Sequence, residues 1–152
     1  MIPAALLAIR AAYTCPWCSN PIGRLHAYPV GLDTLISRLT DSAPMHPTCA
    51  LAASESARWL PVIWTVKTSS PGVPSGRLFE RLPGDWFIYL QTPERLEFHI
   101  NDSPATYEQI RDLMLPAIRR ARDAATSEEE IDEIARAIAS LHRFLPKPTP
   151  HR

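Results

Sequence analysis

The reading of this chain turns on Cys15-Pro16-Trp17-Cys18 and, after 27 intervening residues, His46-Pro47-Thr48-Cys49. Within each pair the two ligand-type side chains are close enough along the chain for one tight turn to aim both at a single ion. Thiolate is a soft ligand, and zinc prefers a tetrahedron of sulfur and nitrogen donors, so Cys15, Cys18, His46 and Cys49 are expected to bind one structural zinc ion. Asn20-Pro21-Ile22-Gly23 turns the chain back after the first pair. Pro47 suits the first turn of a helix, where the dipole favours thiolate. Knuckle, hairpin, then a helix carrying the last two ligands is the order of a treble-clef zinc finger, so the pattern predicts a treble-clef-like N-terminal lobe.

Two other readings of the cysteines compete with zinc. Cys-Pro-Trp-Cys looks like the dithiol of thioredoxin-type proteins, but that chemistry needs a helix running on from the second cysteine. Pro21 and Gly23 break such a helix within a turn, and a redox site leaves His46 and Cys49 unused. Unrelated buried cysteines are the other alternative. A catalytic zinc keeps one position open and usually has three protein ligands, whereas four good donors here favour a structural ion. His26, in the intervening hairpin, is read as a bystander rather than a ligand.

Composition sets the frame. The chain has 152 residues, 45% of them hydrophobic, enough for a packed core. Sixteen basic and sixteen acidic residues cancel, so no overall field steers the chain towards nucleic acid. Three cysteines cannot pair completely, and metal binding is the natural use of thiols in a reducing compartment. Residues 2–9 form an apolar run far short of the roughly 20 residues that a membrane span needs, with no basic leader or cleavage site. The expectation is a cytoplasmic chain with no membrane contact. Sixteen prolines against five glycines imply many fixed turns.

Working outward, residues 2–13 are expected to form a short apolar helix. Residues 24–28 and 35–39 are expected as the arms of the hairpin, and residues 50–60 as a helix that stops before Pro61. Residues 62–67, rich in β-branched and aromatic side chains, read as a strand. Residues 69–76 read as a loop. Residues 86–90 and 96–100 read as an antiparallel hairpin about the turn Thr92-Pro93-Glu94-Arg95.

The last third is helical by pattern. Thr106-Tyr107-Glu108-Gln109 has the form of a capping box, and Ile110, Leu113, Met114, Ala117, Ile118 and Ala121 mark one face. Pro116 should kink this helix. Thr126-Ser127-Glu128-Glu129 starts a second helix with the stripe Ile131, Ile134, Ala135, Ile138, Leu141 and Leu145, and Pro146, Pro148 and Pro150 end the chain. The fold class expected is α+β: a zinc-binding lobe over residues 1–60, then a small antiparallel sheet with a C-terminal αα-hairpin over residues 61–152, the whole forming one unit.

Beyond the metal site, chemistry is thin. Glu97 and His99 share a strand face and could pair as acid and base, a pairing common on exposed sheets. Trp17, Trp59, Trp64 and Trp86 could stack on bases, although Trp59 and Trp64 read more naturally as core. Arg119, Arg120 and Arg122 form the densest basic spot, and with Arg136 they are the candidate interaction residues. Beside the acids of the following helix they also read as a solvated, ion-paired face.

Three blocks carry a family resemblance: residues 15–24, from the first cysteine pair to Arg24; His46-Pro47-Thr48-Cys49-Ala50; and Ser103-Pro104-Ala105-Thr106-Tyr107-Glu108-Gln109-Ile110, after a strand ending in Leu96-Glu97-Phe98-His99-Ile100. In this order, over roughly residues 13–146, they resemble a group of small uncharacterised proteins of phages and prophages. Glycine commonly stands in that group where Ser19 stands here. The resemblance implies a phage or prophage origin, hence a bacterial host cell, and no activity. The function expected is a non-catalytic, zinc-stabilised accessory protein that binds a host or phage protein, in host takeover or against host defence. The alternative is a nucleic-acid-binding zinc-finger module, and an enzyme is the weaker one.

Overall fold

The computed structural model describes residues 14–71, 73–100 and 103–148. The helix expected over residues 2–13 and Pro150 of the C-terminal tail lie outside them. The fold is mixed α+β, with two antiparallel sheets and a layer of helices. In chain order the elements are β1 (Leu25–Val30), α1 (Leu32–Ser37), β2 (Leu39–Thr40), α2 (Pro47–Ser56), β3 (Val62–Lys67), β4 (Gly76–Leu82), β5 (Asp85–Leu90), β6 (Arg95–Ile100), β7 (Ser103–Pro104), α3 (Tyr107–Ala124) and α4 (Glu128–Leu141), then a short 3-10 turn (His142–Phe144).

The larger sheet has the order β1-β3-β6-β7 and the smaller β2-β5-β4. Side chains of a strand alternate between faces, and the register shows what each face meets. Tyr28, Val30, Val62, Trp64, Val66, Leu96 and Phe98 share the main core with Ile88 and Leu90 of the second sheet and with Leu35, Ile110, Met114 and Leu141 of the helices. Ala27 and Ile63 point the other way and meet Ala50 of α2. Both faces of β1 and β3 are therefore covered, which is why these strands carry buried residues at successive positions rather than at alternate ones.

Several expectations are corrected. Residues 24–28 and 35–39 do not form a hairpin: β1 pairs with β3, and β2 pairs with β5. Leu32, Leu35 and Ile36 sit at helical spacing, so that segment forms α1, which ends where Arg38 turns left-handed (φ 62). The helix expected over residues 50–60 begins earlier, with Pro47 at its first turn, and ends at Ser56. Residues 86–90 and 96–100 are strands but not partners. β5 turns back to β4 through Pro83 and Gly84 (φ 79), while β6 crosses to β3. β4 includes Gly76, the last residue of the expected loop. Its sequence Arg77-Leu78-Phe79-Glu80-Arg81-Leu82 puts apolar groups on both faces and hides the strand period. At Gly76 the strands press so close that a Cβ would come within 2.6 Å of Ile88 Cγ2 and of the Tyr89 carbonyl.

The two C-terminal helices form with the expected caps. Thr106 and Gln109 close a reciprocal capping box, and Ser127 accepts from the Glu130 N–H. α3 runs unbroken through Pro116. The stripes are not buried on each other as expected, because α1 packs against both helices. Ile110, Met114, Ala117 and Leu141 are buried, while Leu113 (41% exposed) and Ile131 (45%) are not. No helix among the described residues is long and apolar enough to cross a membrane.

Candidate metal centre

The first knuckle closes on itself. The Cys15 N–H donates to the Asn20 carbonyl (2.9 Å) and the Ser19 N–H to the Cys15 carbonyl (2.8 Å), with Ser19 in the left-handed region (φ 64). Glycine adopts that conformation freely and serine does so at a cost. Met45 is tied to β1 by two backbone hydrogen bonds with Ala27 (2.9 and 2.8 Å). His46 follows as the N-cap residue of α2, and Pro47 occupies the first turn. Pairing with β1 thus brings the start of α2 against the knuckle, and Cys49 comes one turn into the helix.

The ligand atoms of Cys15, Cys18, His46 and Cys49 all lie within 4.8 Å of one another, so this group could hold a metal ion. His46 Nδ1 is 3.3 Å from Cys18 Sγ and 3.8 Å from Cys49 Sγ. A tetrahedral ion with bonds of about 2.0–2.3 Å places its nitrogen and sulfur ligands roughly 3.5–3.8 Å apart, so the spacing fits with little adjustment. On its far side His46 Nε2 is 2.8 Å from the Pro21 carbonyl. A carbonyl only accepts, so Nε2 carries a proton, and Nδ1 is the ring nitrogen turned towards the thiols. This is the orienting contact usual for a metal-bound imidazole.

The electrostatics also favour a cation. Burial raises the Cys15 thiol, but backbone hydrogen bonds from His46, Cys18 and Trp17 outweigh it and bring the group down to about 6. Burial pushes Cys49 up to about 11, and hydrogen bonds to Cys18 and Cys15 with their negative charge push the same way. His46 is raised, chiefly by Pro21 and then by Cys15. The three thiols are free, and a bound divalent cation removes the conflict between them.

The remaining candidates sit elsewhere. His26 is fully buried and outside the cluster; its Nδ1 is 2.9 Å from Ser75 Oγ, which also hydrogen-bonds the Tyr28 hydroxyl. His99 Nε2 lies 3.6 Å from Glu97, whose carboxylate is held by Arg95 at 2.9 Å. His99 lines a cleft of about 390 Å³ with Asp33, Glu55, Trp59, Leu113 and Arg120. Trp64 is core as expected, its Nε1–H donating to the Gln91 carbonyl. Trp59, also expected as core, is 76% exposed because α2 ends before it. Trp17 is half-exposed, and Trp86 packs against the core edge.

Arg119, Arg120, Arg122 and Arg136 are all exposed. Arg120 pairs with Asp33 of α1 at 3.2 Å rather than with the following helix. Sequence reading missed the arginines stacked on rings at β4 and β5: Arg77 over Tyr89, Arg81 over Phe87 and Arg38 over Tyr89. Their signal was the alternation of arginine and phenylalanine in residues 77–81, within a strand whose pattern was not recognised. Comparison with protein-family models, with curated proteins and with solved structures finds no match for this chain.

Proposed function

We propose that this chain is a non-catalytic binding protein whose fold is stapled by one structural zinc ion in a knuckle-and-helix site, treble-clef-like in its ligand-bearing parts though without the intervening hairpin. The observation that carries this reading is the four-donor cluster. Three sulfurs and one nitrogen would fill zinc's tetrahedron and leave no position for water or substrate. The ion would join the knuckle to the start of α2 and so hold α2 on the sheet, which makes binding energy part of folding energy.

The phage or prophage origin and the role in takeover or defence rest on the sequence resemblance and belong to this proposal. A protein partner is favoured by Leu113, Leu115 and Ile131, large apolar side chains left exposed on the helices. A second reading, with nucleic acid as partner, is favoured by the arginine-capped rings of β4 and β5.

Elemental analysis tests the staple: one equivalent of zinc per chain is expected, lost in Cys49→Ala. Below about 0.3 equivalents after expression with added zinc, the four-ligand site is wrong. Cobalt substitution tests the closed site. A visible spectrum that shifts when azide is added would reveal an open coordination position and refute a purely structural ion.

A further inference from the structure

The β4–β5 ladder sorts its side chains by face. Leu78 stands opposite Ile88 and Gly76 opposite Leu90, and these pairs line the core side, where Ile88 and Leu90 are fully buried. Arg77 stands opposite Tyr89 and Phe79 opposite Phe87, so these side chains point outward. The three rings are only partly buried and belong to neither core cluster. The Arg77 guanidinium lies 4.7 Å from the Tyr89 ring, Arg38 lies 5.0 Å from it, and Arg81 lies 4.7 Å from Phe87. Phe79 leans on Tyr89 at 6.4 Å, and no guanidinium among the described residues stacks over it. Arg38 is fixed at the margin by two hydrogen bonds to the Leu90 carbonyl (3.1 and 2.7 Å). Asp85 is the carboxylate on this face, and it pairs with Arg81 at 2.9 Å. A chain of zero net charge thus gathers three guanidiniums against one carboxylate, Arg77 and Arg81 over the outer rings and Arg38 at the edge between Tyr89 and the core ring of Trp64.

We propose that this outer face of the β2-β5-β4 sheet binds a short stretch of single-stranded nucleic acid. The inference rests on the second reading above, a binding protein with nucleic acid as partner, and names the form of the strand it takes. Guanidinium is planar and permanently charged, and its N–H fork matches phosphate oxygens. Every base has a π-face, so rings beside arginines suit a strand whose bases are unpaired, whereas a duplex hides those faces. An acidic peptide would use the arginines and leave the rings idle. The distance from residue 77 to 81 along a strand is about 13 Å, room for on the order of two to four nucleotides.

The test uses the zinc-loaded full chain and a fluorescein-labelled twelve-nucleotide oligothymidine or oligouridine, read by anisotropy. With about three phosphates neutralised, affinity should fall roughly 20-fold between 50 and 200 mM salt. Arg77→Gln combined with Arg81→Gln should weaken binding at least about tenfold. Phe79→Leu, which keeps apolar bulk, should weaken it about fivefold or more at an unchanged melting temperature. Arg111→Ala, on α3, should bind as the parent does. Ultraviolet cross-links should map to residues 76–90.

No binding at 50 mM salt, equal affinity for duplex, equal displacement by polyglutamate, or loss caused by Arg119→Gln instead would overturn the proposal. Zinc is measured on the same samples. A zinc-loaded chain that ignores the oligonucleotide refutes this face and not the staple. A zinc-free chain that binds it refutes the staple and not this face.

Discussion

Replacing Ser75 with alanine removes one oxygen and should cost far more than its size suggests. Ser75 is buried, and its hydroxyl serves both Tyr28 and His26 Nδ1. A hydroxyl can donate one proton and accept as well, so Ser75 can satisfy both at once, whether the proton chain runs from Tyr28 to His26 or from His26 to Tyr28. Without Ser75 two buried polar groups lose their partner, at about 1–3 kcal/mol each, so Ser75→Ala should destabilise by roughly 2–6 kcal/mol. Against a typical total of about 5–15 kcal/mol that is a large share. Tyr28→Phe removes one client and leaves Ser75 bonded to His26, so it should cost only about 1 kcal/mol. The double variant should cost less than the sum, because the orphaned hydroxyl is gone. Urea unfolding at fixed zinc concentration, with unchanged m-value, measures all three. A Ser75→Ala cost under about 1 kcal/mol, or strictly additive effects, would show that the hydroxyl does not tie these groups together.

Three further outcomes are expected. Ser19→Gly should stabilise the chain by up to about 1 kcal/mol, because the left-handed conformation at residue 19 costs serine about 1–2 kcal/mol and glycine's extra backbone freedom offsets part of the gain; thermal melts at saturating zinc check it. Leu141→Ala should cost about 2–5 kcal/mol and Ile131→Ala well under 1, since the first is in the core and the second is 45% exposed; similar losses would contradict the packing of α4. Burial lowers the His26 imidazole below its ordinary 6.5, outweighing the opposing push of a backbone hydrogen bond to Gly23. As pH falls below 6.5 the unfolded chain therefore takes up that proton first. Stability is lost from there down to the folded-state value and is unaffected by this group above 6.5. Proton NMR of the His26 ring should show no midpoint at or above 6.5; one there would mean that the ring is solvated.

The sequence by itself determined the four-donor group, β3, the two C-terminal helices and their caps. Each rests on a local rule: ligand spacing, β-branched composition, or a side chain that meets its own backbone three residues on. Cys15 and Cys18, and His46 and Cys49, are aimed by single turns, so their pairing was legible in the sequence. That the two pairs meet was an inference, and the fold satisfies it through the Ala27–Met45 bridge. Which strands pair was decided only by tertiary structure. β5 and β6 are neighbours in sequence joined by a good turn, yet β6 lies on β3, where Leu96 and Phe98 can reach the shared core. Residues 35–39 suit a strand locally, but Leu32, Leu35 and Ile36 give more burial as a helix against α3 and α4. The arginine-capped face arises the same way. Arg38 lies far along the chain from Arg77 and Arg81, and only the β2-β5-β4 pairing brings it and the rings of β5 to them, because burial of Ile88 and Leu90 on one side forces Phe87 and Tyr89 to the other.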